Sequence, residues 1–257
     1  MKKNILPLKF LPVFLILFLI SAITTGQTNY HEKQVNHFNQ SWVSLISNMR
    51  FTKHWGLMAD LQASKQGFFK DDSYYLVRVG AVNWINGKYP VAYGISQTWI
   101  APKEGYNTWS NDFKTFQQWS SIHQEGIFSI LHRIRVEQRW REVVVDDQKT
   151  GTKLFSVRLR YQAGFEAKIF ESNKLPTISA SNELITQFGK DVVYNAFDQN
   201  RFFIGLKQRI SSALSFDIGY MNVFQQKTTG YQYDSTDLFR LFFFYMPDWR
   251  QTKRNYQ

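Results

Sequence analysis

The chain contains no cysteine, which excludes disulfides, thiolate metal sites and lipoprotein attachment. The apolar run near its start is too short for a comfortable membrane-spanning helix, and no second long apolar run follows it. Residence in a membrane would have to be by strands. Glycine-rich phosphate loops and nucleophile elbows are absent. Gly80, Gly94, Gly164, Gly205 and Gly219 instead stand singly inside alternating segments, where glycine clears space or bends a strand. Acidic residues are the minority, 20 against 31 lysines and arginines, for a formal charge of +11. Basic, aromatic-rich chains can bind nucleic acid, but these arginines are interleaved with apolar residues along strands, so nucleic acid is not an expected partner.

The start of the chain is a basic segment, Met1-Lys2-Lys3 and Lys9, followed by the apolar run Leu11 to Ile20 and then small residues at Ser21, Ala22, Thr24, Thr25 and Gly26. That order predicts a secretory signal peptide over 1–26, cleaved after Gly26.

Past it, charge and apolarity alternate. In Ile130-Leu131-His132-Arg133-Ile134-Arg135-Val136-Glu137-Gln138-Arg139-Trp140, every second residue from Arg133 to Arg139 is charged and most of the others are apolar. A period of two is a strand with two unlike faces. Similar segments run roughly over 41–51, 54–65, 73–85, 89–100, 112–124, 127–140, 153–167, 175–187, 198–209, 213–225 and 236–246. In several the polar face carries Gly, Ser, Arg, Glu and Asp, which makes a poor hydrophobic core and a good barrel lumen. Connections are expected to alternate, short near 52–53, 86–88, 125–126, 171–173 and 211–212, and long over 66–72, 101–111, 141–152, 188–197 and 226–235. The reading is an all-β, antiparallel transmembrane β-barrel over 27–246, of about 12 strands with Tyr30 to Asn39 supplying the twelfth, or 10 as the alternative. Both termini would then lie in the periplasm, with 247–257 a polar tail.

Aromatic residues make up 17% of the chain. The eight tryptophans, at 42, 55, 84, 99, 109, 119, 140 and 249, fall at segment boundaries more often than centres, as girdles at two membrane interfaces would require. The last strand, Asp237 to Tyr245, resembles the aromatic final strand of outer-membrane barrels, except that Pro247 to Gln257 follows it.

The leader, the alternating strands and the run His132 to Arg139, with Trp42–Trp55, Arg158-Leu159-Arg160-Tyr161, Asn200-Arg201 and Asp217-Ile218-Gly219-Tyr220-Met221, together resemble the family called domain of unknown function 2490, found mainly in Bacteroidota. The resemblance covers nearly all of the mature chain. It implies an outer-membrane barrel of a Gram-negative bacterium and assigns no activity, catalytic residue or cofactor.

The strongest candidate site is the charged face: Arg133, Arg135, Arg139, Arg158, Arg160, Arg201 and Arg240, with Arg78 beside them and Glu137, Glu166, Glu183 and Asp217 as counter-charges. Two readings are open, a structural plug of charge-assisted hydrogen bonds and a narrow pore for small anionic solutes. A third class is a lipid-modifying acyl hydrolase using outward-facing His132, with Ser120 or Ser121 on the preceding strand as nucleophile. No catalytic residue, metal or cofactor is assigned. His31 and His37 bracket Glu32 without the spacing of a zinc helix. The expected partners are outer-membrane lipid, the barrel-assembly machinery during insertion, and lipopolysaccharide at loop lysines such as Lys65, Lys70, Lys103, Lys149 and Lys227.

Overall fold

The computed structural model describes residues 32–250 apart from 171, 173, 174 and 194. The expected signal segment, Tyr30, His31, two residues of the turn at 171–173, and the tail from 251 onward lie outside the described residues. Eleven strands follow one another: β1 (Gln34–Arg50), β2 (Trp55–Gln66), β3 (Asp71–Ile85), β4 (Tyr89–Ile100), β5 (Ser110–Glu125), β6 (Phe128–Val145), β7 (Gln148–Ala167), β8 (Thr177–Phe188), β9 (Phe197–Arg209), β10 (Leu214–Gln226) and β11 (Gln232–Tyr245). Each pairs with its neighbours in order, and the sheet closes on itself as a barrel. Closure leaves no edge strand exposed.

The strand count corrects the expected twelve, and the alternative ten. Residues 34–39 are the first third of a 17-residue β1 rather than a separate strand. No turn interrupts the extended backbone there, and it runs straight on despite Asn36 and Asn39. An odd number of strands in up-and-down order leaves the first and last pointing the same way, so the seam must be parallel. It is: β1 and β11 pair in parallel, from Gln34 opposite Gln232 to Ser47 opposite Tyr245. β1 therefore begins at one rim of the barrel and β11 ends at the other, in place of the expected common side. Met246 to Arg250 extends the seam. The amide of Arg50 donates to Pro247 O at 3.0 Å, that of Trp249 to Arg50 O at 3.0 Å, and the Trp249 and Phe51 rings lie 5.1 Å apart.

The expected rhythm of short and long connections is also only partly kept. At the rim where β1 begins, here the first rim, β6 and β7 continue to the two-residue turn Asp146-Asp147 instead of ending in a long loop over 141–152. Both aspartates take positive φ, 47° and 60°, a left-handed pair that matches the twist of a two-residue hairpin. At the second rim, β7 ends at Ala167 and β8 begins at Thr177, further apart in sequence than the expected short turn at 171–173.

The barrel is inside out. Large apolar side chains such as Val79, Ile95, Leu159, Ile204 and Leu206 stand exposed on the outer wall, while Asp60, Arg78, Arg135, Glu137, Arg158 and Asp217 are buried inside. Two apolar clusters share that interior: Trp42, Phe203, Met221, Leu238 and Phe242, and Met58, Val82, Ala92 and Phe116. Trp42 thus belongs to the interior, not to a girdle. Two cross-strand glycine pairs make room for the phenylalanines, Gly80 opposite Gly94 and Gly205 opposite Gly219. A Cβ on Gly94 would meet Val79 O at 2.1 Å and the Phe116 ring at 2.9 Å. Phe116 and Phe203 lie over these bare backbones and are each 1% exposed.

Candidate functional site

Period-two geometry turns residues 133, 135, 137 and 139 of β6 inward beside 158 and 160 of β7, because Glu137 is opposite Arg158 and Arg135 opposite Arg160. Glu137 accepts a hydrogen bond from Arg160 at 2.8 Å and lies 3.6 Å from Arg135 and 3.7 Å from Arg158. Arg160 also donates to Glu183 at 2.8 Å, which takes Arg133 at 2.9 Å from the far side and lies 3.8 Å from Arg201. Arg139 and Lys114 share Asp112, at 2.8 and 2.9 Å. Arg158 pairs with Asp198 and Arg78 with Asp60. Arg240 donates to Asp217 at 2.8 Å. Glu166 stands apart from this network, nearer the second rim and half exposed, paired with Lys207.

Among the described residues this network holds nine cations, Arg78, Lys114, Arg133, Arg135, Arg139, Arg158, Arg160, Arg201 and Arg240, against six carboxylates, Asp60, Asp112, Glu137, Glu183, Asp198 and Asp217. Aromatic faces take up part of the excess. The guanidinium of Arg240 lies 3.9 Å from the centre of Phe203 and 4.0 Å from that of Phe242. Arg135 and Arg78 approach Phe116 at 5.2 and 5.7 Å, and Arg201 approaches Trp42 at 5.3 Å. Arg135 has a neutral partner, donating to Gln118 at 2.9 Å. The buried Nε atoms of Arg78, Arg158 and Arg240 have no protein hydrogen-bond partner.

Four members of this network escaped the reading of the sequence, and one of them, Asp60, is the single carboxylate of β2. Asp198 sits at a register shift in β8/β9, where Ile185 pairs with Gln199 and Thr186 with Phe197. A bulge of this kind re-aims a side chain, and Asp198 turns inward although parity places it with Phe202 and Ile204. Asp112 and Lys114 are on β5, where Phe116 points in and Gln117 points out, so the alternation that would have marked them is inverted.

His132 faces outward. Its Nδ1 is 2.8 Å from the Tyr161 hydroxyl of β7, and the two rings stack at 6.1 Å. Ser121 of β5 is directly opposite in register, but the hydrogen bond of the ring's Nδ1 goes to Tyr161 on the other side.

At the first rim, Glu142 organises a polar patch on the outer wall. It accepts from the Asn111 side chain at 2.9 Å and its amide at 3.2 Å, and pairs with Lys149 at 3.0 Å. Above it, Asp147 receives the amides of Thr108 at 2.7 Å and Asn107 at 2.9 Å. Those bonds, the Thr108 amide foremost, hold the Asp147 carboxyl below its usual range against the opposing effect of desolvation. The long β4–β5 loop is thereby latched onto the β6–β7 turn.

The family model described as "Protein of unknown function (DUF2490)" matches residues 39–234. The chain belongs to this family. The match runs from the first third of β1 to the start of β11 and so covers β2 to β10 entire. No curated protein and no solved structure matches the chain.

Proposed function

We propose that this member of the DUF2490 family is an integral barrel of the outer membrane of a Gram-negative bacterium, of the Bacteroidota as the resemblance implies. In this reading it is exported by its leader and inserted by the barrel-assembly machinery. Its interior is a plug, and its role is structural. One observation carries the reading: side chains of opposite polarity occupy the positions a soluble barrel would give them in reverse. Glu137 is 1% and Arg135 3% exposed inside, whereas Ile95 and Ile204 are 48% and 47% exposed outside. An apolar wall of that kind is stable in lipid and a liability in water. Charges at such low exposure, tied from β6 to β8 and from β7 to β9, support a packed interior over a water-filled one. The test is planar-bilayer recording of the refolded, heat-modifiable barrel. The plug predicts no stable conductance steps, and a steady ohmic conductance from the wild-type chain overturns it.

A second reading, a narrow path for small anions, rests on the excess of nine cations over six carboxylates and on the unpartnered guanidinium nitrogens. It predicts small conductance steps whose reversal potential in a salt gradient follows the anion.

A further inference from the structure

A cavity of about 460 Å3 opens on the outer wall close to the first rim, across β4 to β7. Its lining is graded. Toward mid-barrel it is Gln97, Phe113 and Trp140, and toward the rim Trp99, Asn111, Glu142 and Lys153. The apolar side continues as a ridge, with Phe113 to Trp140 at 5.9 Å and Trp140 to Phe155 at 5.3 Å between ring centres. The polar side is built rather than loose. Gln97 donates to Asn111 at 3.4 Å, Asn111 donates to Glu142, and Lys149 neutralises that carboxylate. Lys153, opposite Glu142 in register, has no ion pair among the described residues. Among the described residues Lys153 is thus the cation of the lining that no carboxylate partners.

From this we infer that the cavity binds one membrane lipid with a single negative charge on a phosphodiester headgroup. The phosphate sits against Lys153, headgroup hydroxyls meet the Asn111 amide and the Gln97 amide bonded to it, Trp99 stands at the interface, and an acyl chain follows the Phe113–Trp140–Phe155 ridge. The polarity of the site runs in the order of the lipid's own, apolar toward the bilayer and charged at the interface. A phosphate accepts hydrogen bonds from an ammonium group at full charge-assisted strength. The inference rests on the membrane-spanning reading above.

The experiment is native mass spectrometry of the full mature barrel released from mixed micelles containing phosphatidylglycerol and phosphatidylcholine in equal amounts. One retained phosphatidylglycerol, favoured about fivefold for the one uncompensated charge, is the expected result. Lys153→Gln should abolish the preference, while Lys88→Gln at the second rim keeps it. Heat-modifiability on gels establishes that each variant is folded. Trp fluorescence quenching by brominated phosphatidylglycerol, reduced in Trp140→Phe, provides a second measure that leaves Lys153 in place. Equal retention of both lipids, an unchanged preference in Lys153→Gln, displacement by inorganic phosphate, or stronger retention of lipid A each overturns the assignment. A chain that is soluble without detergent overturns the membrane reading, and this inference with it. A folded barrel without preference overturns this inference alone.

Discussion

Replacing Glu137 by glutamine keeps the side-chain volume and removes one charge from the most buried part of the interior, where Glu137 is 1% exposed. The structure says which partner suffers. Arg160 keeps Glu183 at 2.8 Å and Arg158 keeps Asp198, so neither is left without a carboxylate. Arg135 has only Glu137, at 3.6 Å, and the neutral Gln118. Breaking a buried pair by removing one partner costs about 3–5 kcal/mol, and since two of three arginines retain a partner, the loss belongs at the lower end, about 3 kcal/mol. Equilibrium urea unfolding of the barrel in detergent, followed by tryptophan fluorescence, would measure it. Arg135→Met in the Glu137→Gln background removes the stranded charge and should recover about half of the lost stability, a coupling of about 1.5 kcal/mol. A loss below about 1 kcal/mol in the single variant, or no recovery in the double variant, would refute the idea that Glu137 is held as the counter-charge of Arg135.

Other perturbations follow from the same coordinates. Gly94→Ala forces a Cβ to 2.1 Å from Val79 O and 2.6 Å from Gly80 Cα, backbone atoms that cannot yield, and should destabilise by about 2–3 kcal/mol. Gly164→Ala meets only the Leu131 side chain at 3.2 Å and should cost under about 1 kcal/mol in the same unfolding assay. At Asp147 the folded carboxyl titrates below its usual range, so the latch is fully present above about pH 4 and is lost as pH falls through the depressed value. Hydrogen exchange at the Asn107 and Thr108 amides should show protection that fades in acid and is absent at every pH in Asp147→Ala. Truncation after Met246 removes the two backbone bonds between Arg50 and the Pro247–Trp249 segment and the Trp249–Phe51 contact. It should lower stability by about 2 kcal/mol, and an unchanged unfolding midpoint would show that this part of the seam contributes nothing.

The strands were legible because alternation is a local property. A charged residue every second position, as from Arg133 to Arg139, can satisfy only a face unlike its neighbour. What was not legible is what closure decides. Whether Gln34 to Asn39 turns back or runs on depends on its pairing with β11, some two hundred residues away, and so the strand number and the parallel seam were beyond reach. The β6–β7 turn was hidden because Val143 to Val145 and the polar residues after Asp147 carry no charge alternation, although they are paired. Asp198 was invisible because a bulge breaks the parity rule that would have located it. Trp42 looked like a girdle residue by its place near a segment end, but β1 extends well beyond that point, so Trp42 stands at mid-strand and meets Phe242 at 5.0 Å and Tyr74 at 5.9 Å. That the charged face is packed depends on side chains meeting across the barrel, which no single strand reveals.

The central claim is that the inner face is sealed and the outer face lies in lipid. Because the chain has no cysteine, single cysteines can report on both faces without background. Ser96→Cys and Ser44→Cys probe buried interior positions, and Leu159→Cys and Ile204→Cys probe the wall. In proteoliposomes, the account predicts that a charged, water-soluble maleimide labels none of the four, while a lipid-soluble maleimide labels only the two wall positions. Rapid labelling of Ser96→Cys by the charged reagent would reveal a water-filled lumen, and its reaction with Leu159→Cys would place the wall in water. Either result would contradict the account.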